Sequence, residues 1–221
     1  MIRSPMFPLG MVLFPAQILP LRVFEPRYRQ MIHECLRDEA AFGVVLIERG
    51  SEVGGGDVRT DIGTLARIVH AQPYPDGRWS IAAIGTERIR VTSWLPDDPY
   101  PVAEVEPYPD EPATQPLEAL VGQATDLLRQ VLALRAELGD AVPPATFEVS
   151  AGALAASYQL AAGTPLGPVD RLALLGAPGP AERLERLVAL LEDDRDLCTV
   201  RLALDAAADD DPTGFGPLDD G

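Results

Sequence analysis

There is no lysine in this sequence. All 18 basic residues are arginine, set against 34 acids in 221 residues. That absence excludes the phosphate-binding lysine of a P-loop, a Ser-Lys dyad and a Schiff-base lysine. Cysteine is nearly as scarce: Cys35 and Cys198 lie far apart, each in an apolar helical context. They read as buried free thiols, and a disulfide or metal role has no support. Of the two histidines, His33 begins a run, His33-Glu34-Cys35-Leu36-Arg37, that starts like H-E-x-x-H. The second ligand position holds Arg37, so no zinc pair can form on that helix face, and His33 is read as a surface residue. His70 receives no role. G-x-S-x-G, paired Cys-x-x-Cys and dinucleotide fingerprints are also missing. The expectation is a non-catalytic protein without metal or cofactor.

Long hydrophobic runs are missing as well. No window approaches the roughly 20 apolar residues of a membrane span. The first residues lack a charged region followed by an apolar stretch and a small-residue cleavage site. A soluble, cytoplasmic chain with no membrane partner is expected. The net charge of -16 is uneven: residues 1–110 hold 11 Arg against 15 acids, and residues 111–221 hold 7 against 19. Such a surface repels phosphate, which makes nucleic acid an unfavourable partner.

What the chain does have is a distinctive opening. From Phe7 to Arg29 it reads FPLGMVLFPAQILPLRVFEPRYR, with Pro8, Pro15, Pro20 and Pro26 interrupting short apolar runs. Proline removes a ladder donor, so these are short, bent or edge strands. Glu25-Pro26 then opens a helix whose buried stripe is Met31, Ile32, Cys35 and Leu36. Phe42 to Ile47 is a continuous apolar run that suits a strand buried on both faces. Gly63–Val69 and Trp79–Ile84 flank a Pro73-Tyr-Pro-Asp-Gly77 hairpin turn, and Arg88–Trp94 and Val102–Glu106 follow as further strands. About six short strands suffice for a small closed barrel.

Composition changes at Pro107-Tyr-Pro-Asp-Glu-Pro112, a stiff acidic linker. Beyond it, residues 117–138 carry apolar side chains at three- and four-residue spacing, ending at Gly139. Ser150 is the expected N-cap of an Ala-rich helix through Ala162. Three further helices are expected: Val169–Leu175, Ala181–Leu191 and one near Leu197–Ala206. The domains are therefore a barrel over 1–110, a helical bundle over 111–206 and an acidic disordered tail over 207–221.

Other patterns are weaker. Gly54-Gly55-Gly56-Asp57 leads into a strand rather than a helix and lacks the following Lys, so a surface loop is expected in place of a phosphate cradle. Asp209, Asp211, Thr213 and Asp220 are spaced like a calcium loop, but Pro212 and Pro217 intrude and the final ligand is not Glu. The polar cluster worth singling out is Arg27, Tyr28 and Arg29 beside Glu25. In one reading these residues contact a protein partner. In the other, Glu25 caps the helix and Tyr28 packs on the barrel.

The phrase FPL-x-x-x-VLFP-x-x-x-LPL-x-V-F-E-P-R-Y resembles the amino-terminal, substrate-binding domain of the Lon proteases. Phe42–Gly50, Glu52–Asp57, Gly63–Ile68, Asp76–Arg78 and Pro165–Leu172 resemble later phrases of the same family, so the likeness covers about Pro5 to Leu204. The resemblance implies an α+β fold, a PUA-like small β-barrel with one helix followed by a C-terminal α-helical bundle. It also implies recognition of protein substrates without chemistry. The family's ATPase and protease modules would follow Gly221, where this chain stops, so a stand-alone relative is expected. It would bind unfolded or exposed apolar polypeptide, as an adaptor working with a separate protease. The barrel-to-bundle junction is the natural groove. The alternative is an RNA-binding PUA-like protein, against which the charge argues.

Overall fold

The structure, a computed structural model, describes residues 2–49 and 58–209. The Gly54–Asp57 loop falls outside them, as does all of the expected tail beyond Asp209. Strands β1 (Ile2–Leu9) and β2 (Ile18–Val23) precede helix α1 (Pro26–Arg37). Strands β3 (Phe42–Arg49), β4 (Val58–Pro73), β5 (Trp79–Trp94) and β6 (Val102–Pro107) complete one sheet. Helices α2 (Glu118–Glu137), α3 (Ala153–Gly163), α4 (Pro168–Leu175) and α5 (Pro180–Asp209) follow.

The sheet runs β2-β5-β4-β3-β1-β6, and β5 also pairs with β6. The circuit returns to β5, yet this is a mixed sheet and not the clean barrel expected. The β1–β3 pair is parallel, β4 carries register shifts against both neighbours, and β2 lies outside the circuit on β5. The separate strands expected at Trp79–Ile84 and Arg88–Trp94 are one 16-residue strand. It can serve three neighbours because its first half faces β2 and β4 while its second half turns to β6. The prolines of β1 are accommodated the same way. Residues 2–5 pair with β6 and residues 6–9 with β3, so each half has a side where a missing N–H costs little.

Helix α1 starts at Pro26 and lays Tyr28, Met31, Ile32 and Cys35 on the sheet against Phe7, Leu19, Phe42 and Ile81. On the other side of β1 and β3, Met6 and Val45 join Ile89, Val91, Ala103 and Val105 inside the curl of the sheet. Phe42–Ile47 does serve both faces: Val44 belongs to the first cluster, Val45 to the second and Leu46 to a third. That third cluster is the helical core, in which Leu128, Val131, Leu160, Leu174, Leu187 and Leu191 are packed with Val12 and Phe14 from the chain's opening. Strand and helical regions therefore share buried surface.

The helical half differs from expectation in two places. The stretches at Ala181–Leu191 and Leu197–Ala206 form one 30-residue helix that takes in residues 207–209 of the expected tail. Ser150 does not cap α3: Gly152 holds that position, while the backbone N–H and hydroxyl of Ser150 both donate to Gln159 Oε1.

Candidate functional site at the sheet–helix junction

Three residues of the opening motif lie at the start of α1. Tyr28 is 3% exposed and stacks on Phe7, with ring centroids 4.1 Å apart and planes 9° apart. The Arg27 guanidinium lies 4.5 Å above the Tyr28 ring, and its Nε donates to Glu25 Oε2 at 3.1 Å. Glu25 makes no side-chain cap; its backbone carbonyl accepts the Arg29 N–H at 2.9 Å. Half-buried Arg29 packs on Gly77, whose φ of +81° suits glycine in the β4–β5 turn. Tyr28 packs α1 against the sheet, while Arg27 and Arg29 keep part of their surface in solvent.

A second constellation was not legible in the sequence. Arg88 on β5 is 3% exposed and reaches into the helical half, where its Nη1 donates to the carbonyls of Leu175 and Ala177 at 2.6 Å each. Its Nη2 lies 3.0 Å from Asp110 in the linker. Arg183 of α5, fully buried, donates from Nη2 to the same carboxylate at 2.6 Å, from Nη1 to the Ser157 hydroxyl at 2.9 Å and from Nε to the Leu174 carbonyl at 3.1 Å. The Tyr158 hydroxyl donates to the other Asp110 oxygen, and the Arg183 guanidinium lies 3.9 Å over the Tyr158 ring. Arg88 and Arg90 both stack on Tyr108, whose hydroxyl donates to the Gly176 carbonyl at 3.1 Å.

Burial pushes the Arg88 guanidinium below its usual pKa range, opposed by Tyr158 and Asp110. Burial, then the hydrogen bond to Asp110, pushes the Tyr158 phenol up. Arginine suits this place because it keeps its charge and its five donors can meet several carbonyls at once. The linker is thus clamped by strand, α3, α4 and α5 together.

Beside the clamp lies a cleft of about 580 Å³. Pro15, Pro107, Tyr108, Pro109, Leu154 and Ala155 give it a mostly apolar lining, with exposed Glu87 at its rim. Its size is that of a ligand pocket. The Ser157 hydroxyl is committed to the Leu154 carbonyl and Arg183, and no histidine lines the cleft. His33 and His70 are exposed elsewhere. Both thiols are buried; burial pushes Cys35 up to about 11 and raises Cys198 too, so neither is a ready nucleophile. Among the described residues, no group of three or more His, Cys, Asp or Glu could hold a metal ion. Nor is any described helix long and apolar enough to cross a membrane.

An α+β chain whose strand and helical halves are locked around an apolar cleft has the form of a binding module. The family profile described as the ATP-dependent protease La (LON) substrate-binding domain matches residues 3–193, and the chain belongs to that family. It is similar to Lon protease 2 of Myxococcus xanthus, 28% identical over 208 residues, which is 92% of this chain and 25% of that protein. Lon protease of Anaeromyxobacter dehalogenans (strain 2CP-C) is 32% identical over 139 residues, 61% of this chain and 16% of that protein. The chain thus spans a quarter or less of these curated relatives. A crystal structure of a Lon N-terminal domain protein from Xanthomonas campestris superposes with a TM-score of 0.62 at 32% identity, covering 86% of this chain and 98% of that one. The N-terminal domain of a Mycobacterium avium complex Lon protease has the same TM-score and coverage at 19% identity, which speaks for the fold. The Lon substrate-binding domain is non-catalytic, and its protease and ATPase modules are not in these 221 residues.

Proposed function

We propose that this chain recognises exposed apolar segments of unfolded polypeptide in the junction cleft, and that it serves as an adaptor presenting them to a separate protease. The observation that carries this is the apolar cleft of about 580 Å³ beside the Arg88–Asp110–Arg183 clamp, which ties its walls together. A cleft whose walls are already fixed loses little conformational entropy on binding. Family membership supports the substrate-recognition class, and the apolar lining of the cleft suits such a segment. Nucleic acid fits less well, since the net charge of -16 disfavours phosphate.

Ala155 is exposed on α3 and lines the cleft, so Ala155→Trp fills it without entering the core. Binding of a fluorescently labelled, permanently unfolded model protein is expected to weaken by about 1 kcal/mol or more, with little change in melting temperature. Unchanged affinity in a stable variant would refute the cleft. Arg27 and Arg29 are proposed as a secondary contact in the same assay. Their Ala variants should weaken binding more than stability, whereas parallel losses would assign them to bracing alone. Co-purification of a protease supports the adaptor role, and recovery of RNA in its place refutes it.

A further inference from the structure

The first halves of the β5 ladders place nine side chains in three rows across β2, β5 and β4. Ile18 pairs with Ile84 and Ile84 with Arg67; Pro20 with Ala82 and Ala82 with His70; Arg22 with Ser80 and Ser80 with Gln72. Directly paired residues point to the same side of a sheet, so these nine share one face. The opposite face of the same strands carries Leu19, Val23, Ile81 and Ala83, which are buried under α1. The register shift between Ile68 and His70 is what returns His70 to the face of Arg67, since a bulge resets the alternation. The grid measures roughly 10 Å across by 14 Å along the strands.

This face is open. Ile18 is 64% exposed, Val69 in the bulge is 51% exposed, and Pro20, Arg22, Arg67 and His70 are exposed as well. It is also the reverse of the molecule in charge. None of the 34 acidic residues lies in residues 18–23, 67–73 or 79–84, while Arg22 and Arg67 stand at opposite corners of the grid. Neither forms an ion pair among the described residues, although most other arginines there are bound to a carboxylate, a carbonyl or a ring. Aliphatic side chains between two free guanidinium groups match a partner that presents apolar side chains between carboxylates. β2 is in addition an edge strand, which leaves backbone groups free on its outer side.

We propose that this β2–β5–β4 face is a second docking surface, separate from the cleft, for an acidic, apolar extended segment of a partner protein. Two guanidinium groups are too few to hold a polyphosphate against the chain's overall charge, and aliphatic side chains offer no stacking platform for bases. The acidic bulk of the molecule repels the same partner elsewhere, which confines it to this face.

The test uses the full chain and fluorescence anisotropy with a labelled peptide alternating leucine and glutamate. The wild-type protein is expected to bind it, and the Arg22→Glu, Arg67→Glu double variant about tenfold or more weakly, with the loss growing at low salt. Ala155→Trp should leave this binding unchanged, which separates it from the cleft. If the charge reversals impair folding, judged by melting temperature, Arg22→Gln with Arg67→Gln should still give a several-fold loss. The proposal is overturned if the peptide does not bind or the arginine variants bind it equally well. It is also overturned if a leucine–lysine peptide or oligothymidylate binds as tightly.

Discussion

Asp110 is ion-paired with two buried guanidinium groups and accepts from a buried phenol, and it is the only carboxylate those two arginines meet among the described residues. Removing it would leave Arg88 and Arg183 charged, desolvated and without a counter-ion. Breaking a buried pair in this way typically costs about 3–5 kcal/mol. Asp110→Ala is therefore expected to lower stability by that order in denaturant unfolding, and a loss under about 1 kcal/mol would show that water or the surrounding carbonyls carry the charge instead. Nothing local in the sequence announces the clamp. In Thr86-Glu-Arg-Ile-Arg90, strand alternation places Ile89 inside and both arginines outside, yet Arg88 is buried because helix carbonyls more than 80 residues away receive it. Pro107–Pro112 was legible as a stiff linker, but that its Asp110 is the half-buried hub of the clamp depends on α3 and α5 arriving around it.

At the scale of elements, the misjudged boundaries share a cause. Helix α5 reads as two pieces because Glu192-Asp-Asp-Arg-Asp196 interrupts the apolar spacing. The chain continues because Arg135 of α2 binds Asp194 through Nη2 at 2.6 Å and Nε at 3.0 Å, turning the acidic break into a cross-helix tie. Beyond that tie α5 outlives its neighbour. Among the residues of known burial Cys198 is the last buried one, and Leu197, Val200 and Leu204 are 58%, 57% and 64% exposed. A helix turn without tertiary burial opens far more readily than a packed one. Amide hydrogens of residues 200–207 are expected to exchange at least about tenfold faster than those of residues 184–198. Equal protection along the helix would reveal a contact over its exposed side. The features that were legible, Pro26 at the start of α1, Gly77 in the β4–β5 turn and Gly139 after α2, are those fixed by backbone chemistry within a few residues.

For the whole molecule, the buried thiols set a limit on the alkaline side. The Cys35 thiol is raised from 9.0 to about 11, chiefly by burial and then by Glu34 and Asp38. Between those values the unfolded chain releases the proton while the folded chain keeps it, so stability falls as pH rises through that window. The loss is on the order of 2 kcal/mol for Cys35, and Cys198 adds to it in the same direction. Chemical unfolding at pH 8 and pH 11 should show the drop, and Cys35→Ala should reduce it. On the acid side the sign reverses. The Tyr100 hydroxyl, with Gln30, holds the Glu34 carboxyl below its usual 4.5, so its contribution is present above that value and fades as pH falls beneath it.

Val12, Phe14 and Leu46 come from the strand half but lie in the helical core, and the buried Arg88 guanidinium of β5 donates to carbonyls of the helical half and pairs with Asp110 of the linker. Neither half can therefore be lent out. A gene fusion or domain graft that carries one without the other would expose apolar side chains and an uncompensated cation at the cut. Recombination that preserves function must take residues 2–193 or so as one block, making the heritable unit the pair of halves and not either architecture by itself.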